Sequence, residues 1–96
     1  MGKESAEIVE IANVAMATAS TEYSYAIPKG TEKITFKLRD PANALQFCFV
    51  TGETATKYMT IPAGSSFTVE GLKFHDKTLY FEAPANTQVL EVMVYQ

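Results

Sequence analysis

The sequence has no tryptophan, one cysteine (Cys48) and one histidine (His75) among its 96 residues. A lone cysteine excludes an intramolecular disulfide framework and a cysteine-rich zinc site, and a lone histidine excludes a two-histidine metal site. A surplus of positive charge is also missing. Eight Lys and Arg stand against eleven Asp and Glu, a net charge of -3, which is the wrong sign for gripping a phosphate backbone, so nucleic acid is not an expected partner. The apolar stretch from Ile8 to Ala17 is interrupted by Glu10 and Asn13, so neither a signal peptide nor a membrane span is expected. The opening Met1-Gly2-Lys3-Glu4-Ser5-Ala6 places Ala6 where an N-myristoylation motif requires Ser or Thr.

What is present is apolar content of 47% with 20% charged residues. At this length that suffices for one domain with a single two-layer core, held by packing alone. From Tyr23 onward the side chains alternate with a period of two between clusters of Pro, Gly, Asn and Asp, an all-β rhythm. The clearest strand is Lys33 to Arg39, where Ile34, Phe36 and Leu38 share one face and Lys33, Thr35, Lys37 and Arg39 share the other. Further strands are expected at Tyr23–Ile27, Leu45–Val50, Lys57–Ile61, Phe67–Val69, Thr78–Ala83 and Gln88–Tyr95. Seven to eight short antiparallel strands predict a jelly-roll-like β-sandwich over residues 21–96.

Residues 1–20 differ: they are Ala-rich and free of aromatic side chains. Ile8, Ile11, Ala12 and Ala15 would line one face of a helix, whereas Val9, Ile11, Asn13 and Ala15 would line one face of a strand. Because the segment runs into the β rhythm through Ser20-Thr21-Glu22, an extended arm or an extra strand is expected. Ile27-Pro28-Lys29-Gly30-Thr31 and Ile61-Pro62-Ala63-Gly64-Ser65 share one pattern. Ordinary turn chemistry used twice explains it better than a helical repeat, since helical periodicity is absent.

Catalytic chemistry finds little footing. His75 reads as a surface-loop residue, and Cys48, between Phe47 and Phe49, reads as a packed, inert thiol with no neighbouring base. Asp40, Glu53 and Glu82 are scattered over separate segments, and no phosphate-cradling loop or calcium loop is present. No enzyme activity, cofactor or metal is therefore expected. The informative positions are apolar ones where a solvated strand face should be polar. In the last strand Leu90, Val92 and Val94 face one way, yet Val89, Met93 and Tyr95 face the other with Glu91 as the only charge; Cys48 and Val50 oppose Leu45, Phe47 and Phe49 in the same manner. A second contact surface or a central strand position would each account for this. Ile8, Val9, Ile11, Val14, Cys48, Val50, Val89, Met93 and Tyr95 are the candidate protein-contact residues.

The order of elements, from Tyr23-Ser24-Tyr25-Ala26-Ile27-Pro28-Lys29-Gly30-Thr31 through Ile34-Thr35-Phe36-Lys37-Leu38-Arg39-Asp40, Leu45-Gln46-Phe47-Cys48-Phe49, Thr60-Ile61-Pro62-Ala63-Gly64-Ser65 and Leu79-Tyr80-Phe81-Glu82-Ala83 to Val89-Leu90-Glu91-Val92, resembles small β-sandwich virion proteins of tailed bacteriophages. The resemblance covers about residues 20 to 96 and implies a non-enzymatic capsid decoration or cement, head-fibre or adaptor protein located in the virion. It further implies a homo-oligomer, a trimer among the candidates, in contact with a major capsid protein or other virion proteins, with the N-terminal segment docking on the particle. An alternative is a carbohydrate- or receptor-binding module using Tyr23, Tyr25, Tyr58, Tyr80 and Tyr95 as stacking faces.

Overall fold

A computed structural model of the chain describes residues 9–70 and 77–96. Eight strands follow one another: β1 (Val9–Met16), β2 (Tyr23–Ala26), β3 (Lys33–Leu38), β4 (Leu45–Cys48), β5 (Met59–Ile61), β6 (Phe67–Glu70), β7 (Thr78–Glu82) and β8 (Gln88–Tyr95). They form two antiparallel four-stranded sheets, ordered β1-β8-β3-β6 and β2-β7-β4-β5. This interleaving, in which β4 and β5 are the only sequence neighbours that pair among the described strands, is the jelly-roll, or double-stranded β-helix, arrangement.

The alternation of β3 is realised as read. Ile34, Phe36 and Leu38 are buried between the sheets, and Lys37 and Arg39 lie on the wet side. Their partners Leu90, Val92 and Val94 of β8 join the same core, which Leu79 and Phe81 of β7 enter from the other sheet. At its centre Phe36 and Phe67 of one sheet meet Phe47 of the other, with Phe36 and Phe47 edge to face at 4.9 Å between ring centres. This ring cluster bridges the two layers.

Residues 9–16 form a full strand of the sandwich, paired along its whole length with β8 from Val9↔Tyr95 to Met16↔Gln88. Val9, Ile11, Asn13 and Ala15 do share one strand face, but it is the outer one. The inner face is carried by Ala12, Val14 and Met16, with Met16 only 1% exposed. Sequence alone was divided here because the inner row is small, Ala12 and Val14, while the larger Ile11 points to solvent. Beyond β1, Ser20 donates its backbone N–H to the Ala83 carbonyl at 2.7 Å, and Ala19 donates to Oδ1 of Asn86 at 2.7 Å. The β1–β2 connection is thereby tied to the β7–β8 connection.

The repeated Ile-Pro-x-Gly pattern is one turn built twice. Thr31 donates its N–H to the Pro28 carbonyl at 3.2 Å and Ser65 to the Pro62 carbonyl at 3.0 Å, with Gly30 at φ 87° and Gly64 at φ 79° in the third turn position. Positive φ there defines a type II turn, which glycine adopts without strain. In both copies the isoleucine before the proline is buried, so the turn leaves directly from the core.

Candidate functional site

Two surfaces stand out, and they follow from how each sheet's outer face is treated. Among the described residues nothing covers the outer face of the β1-β8-β3-β6 sheet. Its rows run Val9, Tyr95, Lys33, Glu70; then Ile11, Met93, Thr35, Thr68; then Asn13, Glu91, Lys37. Ile11 is 71% exposed and Val9 50%, at the free edge of the sheet. Val89, Met93 and Tyr95 are half-buried because β8 is a central strand whose neighbours flank them. Lys33 sits over the Tyr95 ring at 4.8 Å, and the Tyr95 hydroxyl donates to the Met93 sulfur at 3.7 Å. Further along, Glu91 is clasped by Arg39 at 2.8 Å and Lys37 at 3.1 Å. The bonds from Arg39 and then Lys37 hold its carboxyl below the ordinary value. The face is thus apolar at the β1 edge and ionic towards β3.

The opposite sheet is covered by its own chain at one end, over Gln46 and Glu82, while Ser24, Ala26 and Thr60 remain exposed. The β4–β5 connection, residues 49–58, folds back over the outer face, where a third positive-φ glycine, Gly52 at 82°, closes a turn from Val50 to Glu53. Glu22 anchors it. Both Glu22 carboxylate oxygens accept from the Gly52 N–H, at 3.0 and 3.1 Å, and Thr51 and Thr54 donate their hydroxyls to it. Desolvation pushes the Glu22 carboxyl upward, but these donors outweigh it, and the net position is below the usual value. The Thr54 hydroxyl, buried, also lies 2.8 Å from Oε1 of Glu82, while Gln46 donates its side-chain amide to the Thr54 carbonyl. One hydroxyl has one proton to donate, so Thr54 serves one carboxylate at a time.

The same fold-back decides the chemistry of Cys48. Its thiol is buried and donates to the Val50 carbonyl at 3.2 Å, an arrangement that ties it down structurally. Where the connection leaves β4 and rejoins β5, Phe49, Val50, Tyr58 and Met59 remain exposed around an open depression of about 450 Å³, with Glu53 and Lys57 on its rim.

Of the sequence-predicted contact residues, the structure brings Val9, Ile11, Met93 and Tyr95 together on the outer face of the first sheet, with Val89 further along it. Val50 lies in the other patch. Val14 packs against the core and Cys48 is covered by residues 49–58, so neither presents a contact surface. Ile8 and His75 lie outside the described residues. Sequence reasoning missed Phe49, Tyr58 and Met59 as patch members: Phe49 was read onto the face of Leu45 and Phe47, but β4 ends at Cys48 and leaves it exposed. Among the described residues no group of three potential metal ligands forms.

The fold is that of a double-stranded β-helix. The solution NMR structure of a de novo designed double-stranded β-helix is similar to it, with a TM-score of 0.60 and 13% identity over 91% of this chain and 99% of that one. A structure from Bacillus endospore appendages, described as a family of disulfide-linked pili, is more distant, with a TM-score of 0.45 and 15% identity over 93% of this chain and 84% of the other. No protein-family model matches the sequence, and no curated protein matches it.

Proposed function

We propose that the protein is a non-enzymatic structural component of a tailed-phage virion, a capsid decoration or cement protein that stabilises the particle through protein–protein contacts. The observation that supports this reading best is the outer face of the first sheet, where Val9 and Ile11 are exposed on the longest free edge strand and continue into Met93 and Tyr95. A contiguous apolar area beside an ionic row combines the two kinds of surface that protein contacts use. The use of jelly rolls in viral capsid proteins supports it by analogy of fold. The test is to probe density-purified particles from the source organism with antiserum to the purified chain. Co-sedimentation with particles, abolished by Ile11→Glu, is expected; a chain confined to the soluble fraction would sink the proposal.

The carbohydrate-binding reading retains one specific support, the exposed ring of Tyr58 beside Phe49. The other tyrosines are engaged or half-buried: Tyr23 accepts from the Thr18 N–H, Tyr25 packs against the core and Tyr95 lies beneath Lys33. A single exposed platform is a weak sugar site. A glycan array is expected to give no signal above background, and saturable binding lost in Tyr58→Ala would reverse the preference.

A further inference from the structure

The β4–β5 connection is held to the sandwich by polar bonds rather than by packing. Of residues 49–58, Thr54 is buried, Glu53 is half-buried and the other eight are exposed. Phe49 meets Phe47 edge to face, with ring centres 6.1 Å apart, but this contact lies where the connection leaves β4. Further along, Phe47 and Cys48 of the sheet share the lining of an open depression of about 450 Å³ with Glu53, Lys57 and Tyr58 of the connection, so the two are not close-packed there. The segment nevertheless keeps its own shape. Glu53 donates its N–H to the Val50 carbonyl at 3.2 Å, and Thr56 and Lys57 donate theirs to the Glu53 carbonyl at 3.2 and 3.0 Å.

The bonds that tie it down form a clasp whose two halves differ in firmness. On one side stands Glu22, between Ser20, whose N–H is bonded to the Ala83 carbonyl at 2.7 Å, and Tyr23, which pairs with Phe81 in the β2–β7 ladder. Its backbone is fixed to the sheet at both neighbours. On the other side the Gly52 N–H and the Thr51 and Thr54 hydroxyls all belong to the connection, at 3.0, 3.2 and 3.1 Å from the Glu22 carboxylate. Gln46 adds a bond of 3.4 Å to the Thr54 carbonyl, and Glu82 competes for the Thr54 hydroxyl at 2.8 Å. With one proton to share, that hydroxyl leaves one of the two carboxylates short in the closed arrangement, whereas opening returns both to water. A segment with few buried apolar contacts and water-exposed bonds opens at a lower free energy than the domain as a whole.

We propose that residues 49–58 are a strap that lifts off the sandwich as a unit while both sheets stay folded, with Glu22 as the fixed keeper that holds it shut. Its hinges are the two points where the backbone leaves β4 after Cys48 and rejoins β5 at Met59. Closed, the strap masks one end of the outer sheet face over Gln46, Cys48 and Glu82. Lifting it breaks the bond of 3.2 Å from the Cys48 thiol to the Val50 carbonyl and brings the thiol and the Glu82 carboxylate into solvent. The fold thus carries a cover with one clasp. This device belongs to the single chain, and it stands or falls independently of the particle-binding reading.

Cys48 is the only thiol of the chain, so it reports the opening directly. The experiment follows its reaction with dithionitrobenzoate near neutral pH, in a urea series that starts well below the unfolding transition, on wild type, Glu22→Ala, Thr51→Ala and Val94→Ala. Val94 is buried in the other sheet, so its truncation weakens the whole sandwich and leaves the clasp intact. At low urea the wild-type thiol should react about tenfold or more slowly than in the unfolded chain, at a rate nearly independent of urea, because lifting the strap exposes little surface. Glu22→Ala should react about tenfold faster than wild type with the same flat dependence, in line with the loss of a charge-assisted clasp. Thr51→Ala, at an exposed position whose loss the fold tolerates, should react severalfold faster and carries the test if Glu22→Ala does not fold. Val94→Ala should keep the wild-type rate at low urea and bring only the steep, global branch to lower urea. A wild-type rate that rises steeply with urea from the outset, a wild-type thiol as reactive as in the unfolded chain, or clasp variants that react like wild type would each overturn the proposal.

Discussion

Thr54 is the residue on which the covered end of the second sheet turns. Its hydroxyl is buried between Glu82, at 2.8 Å, and Glu22, at 3.1 Å, and its carbonyl accepts from Gln46. Thr54→Val keeps the shape and removes the donor, leaving the buried Glu82 carboxylate without it. A loss of about 1–3 kcal/mol is expected in urea unfolding at pH 7. Glu22 adds a pH dependence with a defined sign. Its carboxyl sits below the ordinary glutamate value of about 4.5 in the folded chain, because donors from Gly52, Thr54 and Thr51 overcome desolvation. The unfolded state therefore binds the proton first, and the stabilisation is present above about pH 4.5 and lost as pH falls through the folded value. The stability difference between wild type and Glu22→Gln should be largest at neutral pH and shrink towards pH 3; a difference constant with pH would remove the carboxylate from this role. Gly30 tests the turn in isolation. Nothing lies within 4 Å of where its Cβ would be, so Gly30→Ala carries only the backbone cost of φ 87°, about 1–2 kcal/mol, and Gly30→Asn should lose less. Equal losses for the two variants would point to something other than the backbone.

At the scale of elements, β1 decides how far the N-terminal segment is part of the domain. It buries Met16, supports Ala12 and Val14 against the core and covers one whole edge of β8. A chain starting at Ser20 would expose the β8 edge and uncover Leu90 and Val92, and it should lose cooperative thermal unfolding; a sharp transition near the wild-type temperature would show β1 to be dispensable. The legibility of each element follows from the same physics. β3 could be read outright, because its large apolar residues all face the core and its charges all face water, the pattern of a sheet wetted on one side. In β1 the strand periodicity was visible but its polarity was inverted, since Val9 and Ile11 face solvent and the small Ala12 faces the core. β8 showed apolar residues on both faces because it is central, a fact of strand order that no local pattern carries. The β4–β5 patch was the least legible part of the candidate site. Cys48 and Val50 are two residues apart, yet the connection folds over the sheet so that one is buried beneath it and the other exposed, and the Glu22 carboxylate that anchors this connection is distant in sequence.

For the whole molecule, the strand order sets the order of folding. Only β4 pairs with its immediate successor among the described strands; β3 must find β8, β2 must find β7, and β1 must find β8 across almost the entire chain. Closing such long loops costs entropy before their contacts repay it, so folding in milliseconds to seconds is expected, and tyrosine fluorescence can follow it because the chain has no tryptophan. The β1–β8 ladder joins the most distant segments and lies at an edge, whereas the Phe36, Phe47 and Phe67 rings bring the two sheets together at the centre. The centre is therefore expected to form before the β1 edge. Met16→Ala should cost about 2–5 kcal/mol at equilibrium. Almost all of that loss should appear as faster unfolding, with the folding rate little changed, because β1 docks after the rate-limiting step. Phe47→Leu, a smaller change at the ring cluster, should instead slow folding. Stopped-flow measurements across a urea series separate the two, and a Met16→Ala chain that folds more slowly in proportion to its lost stability would place β1 in the folding nucleus instead.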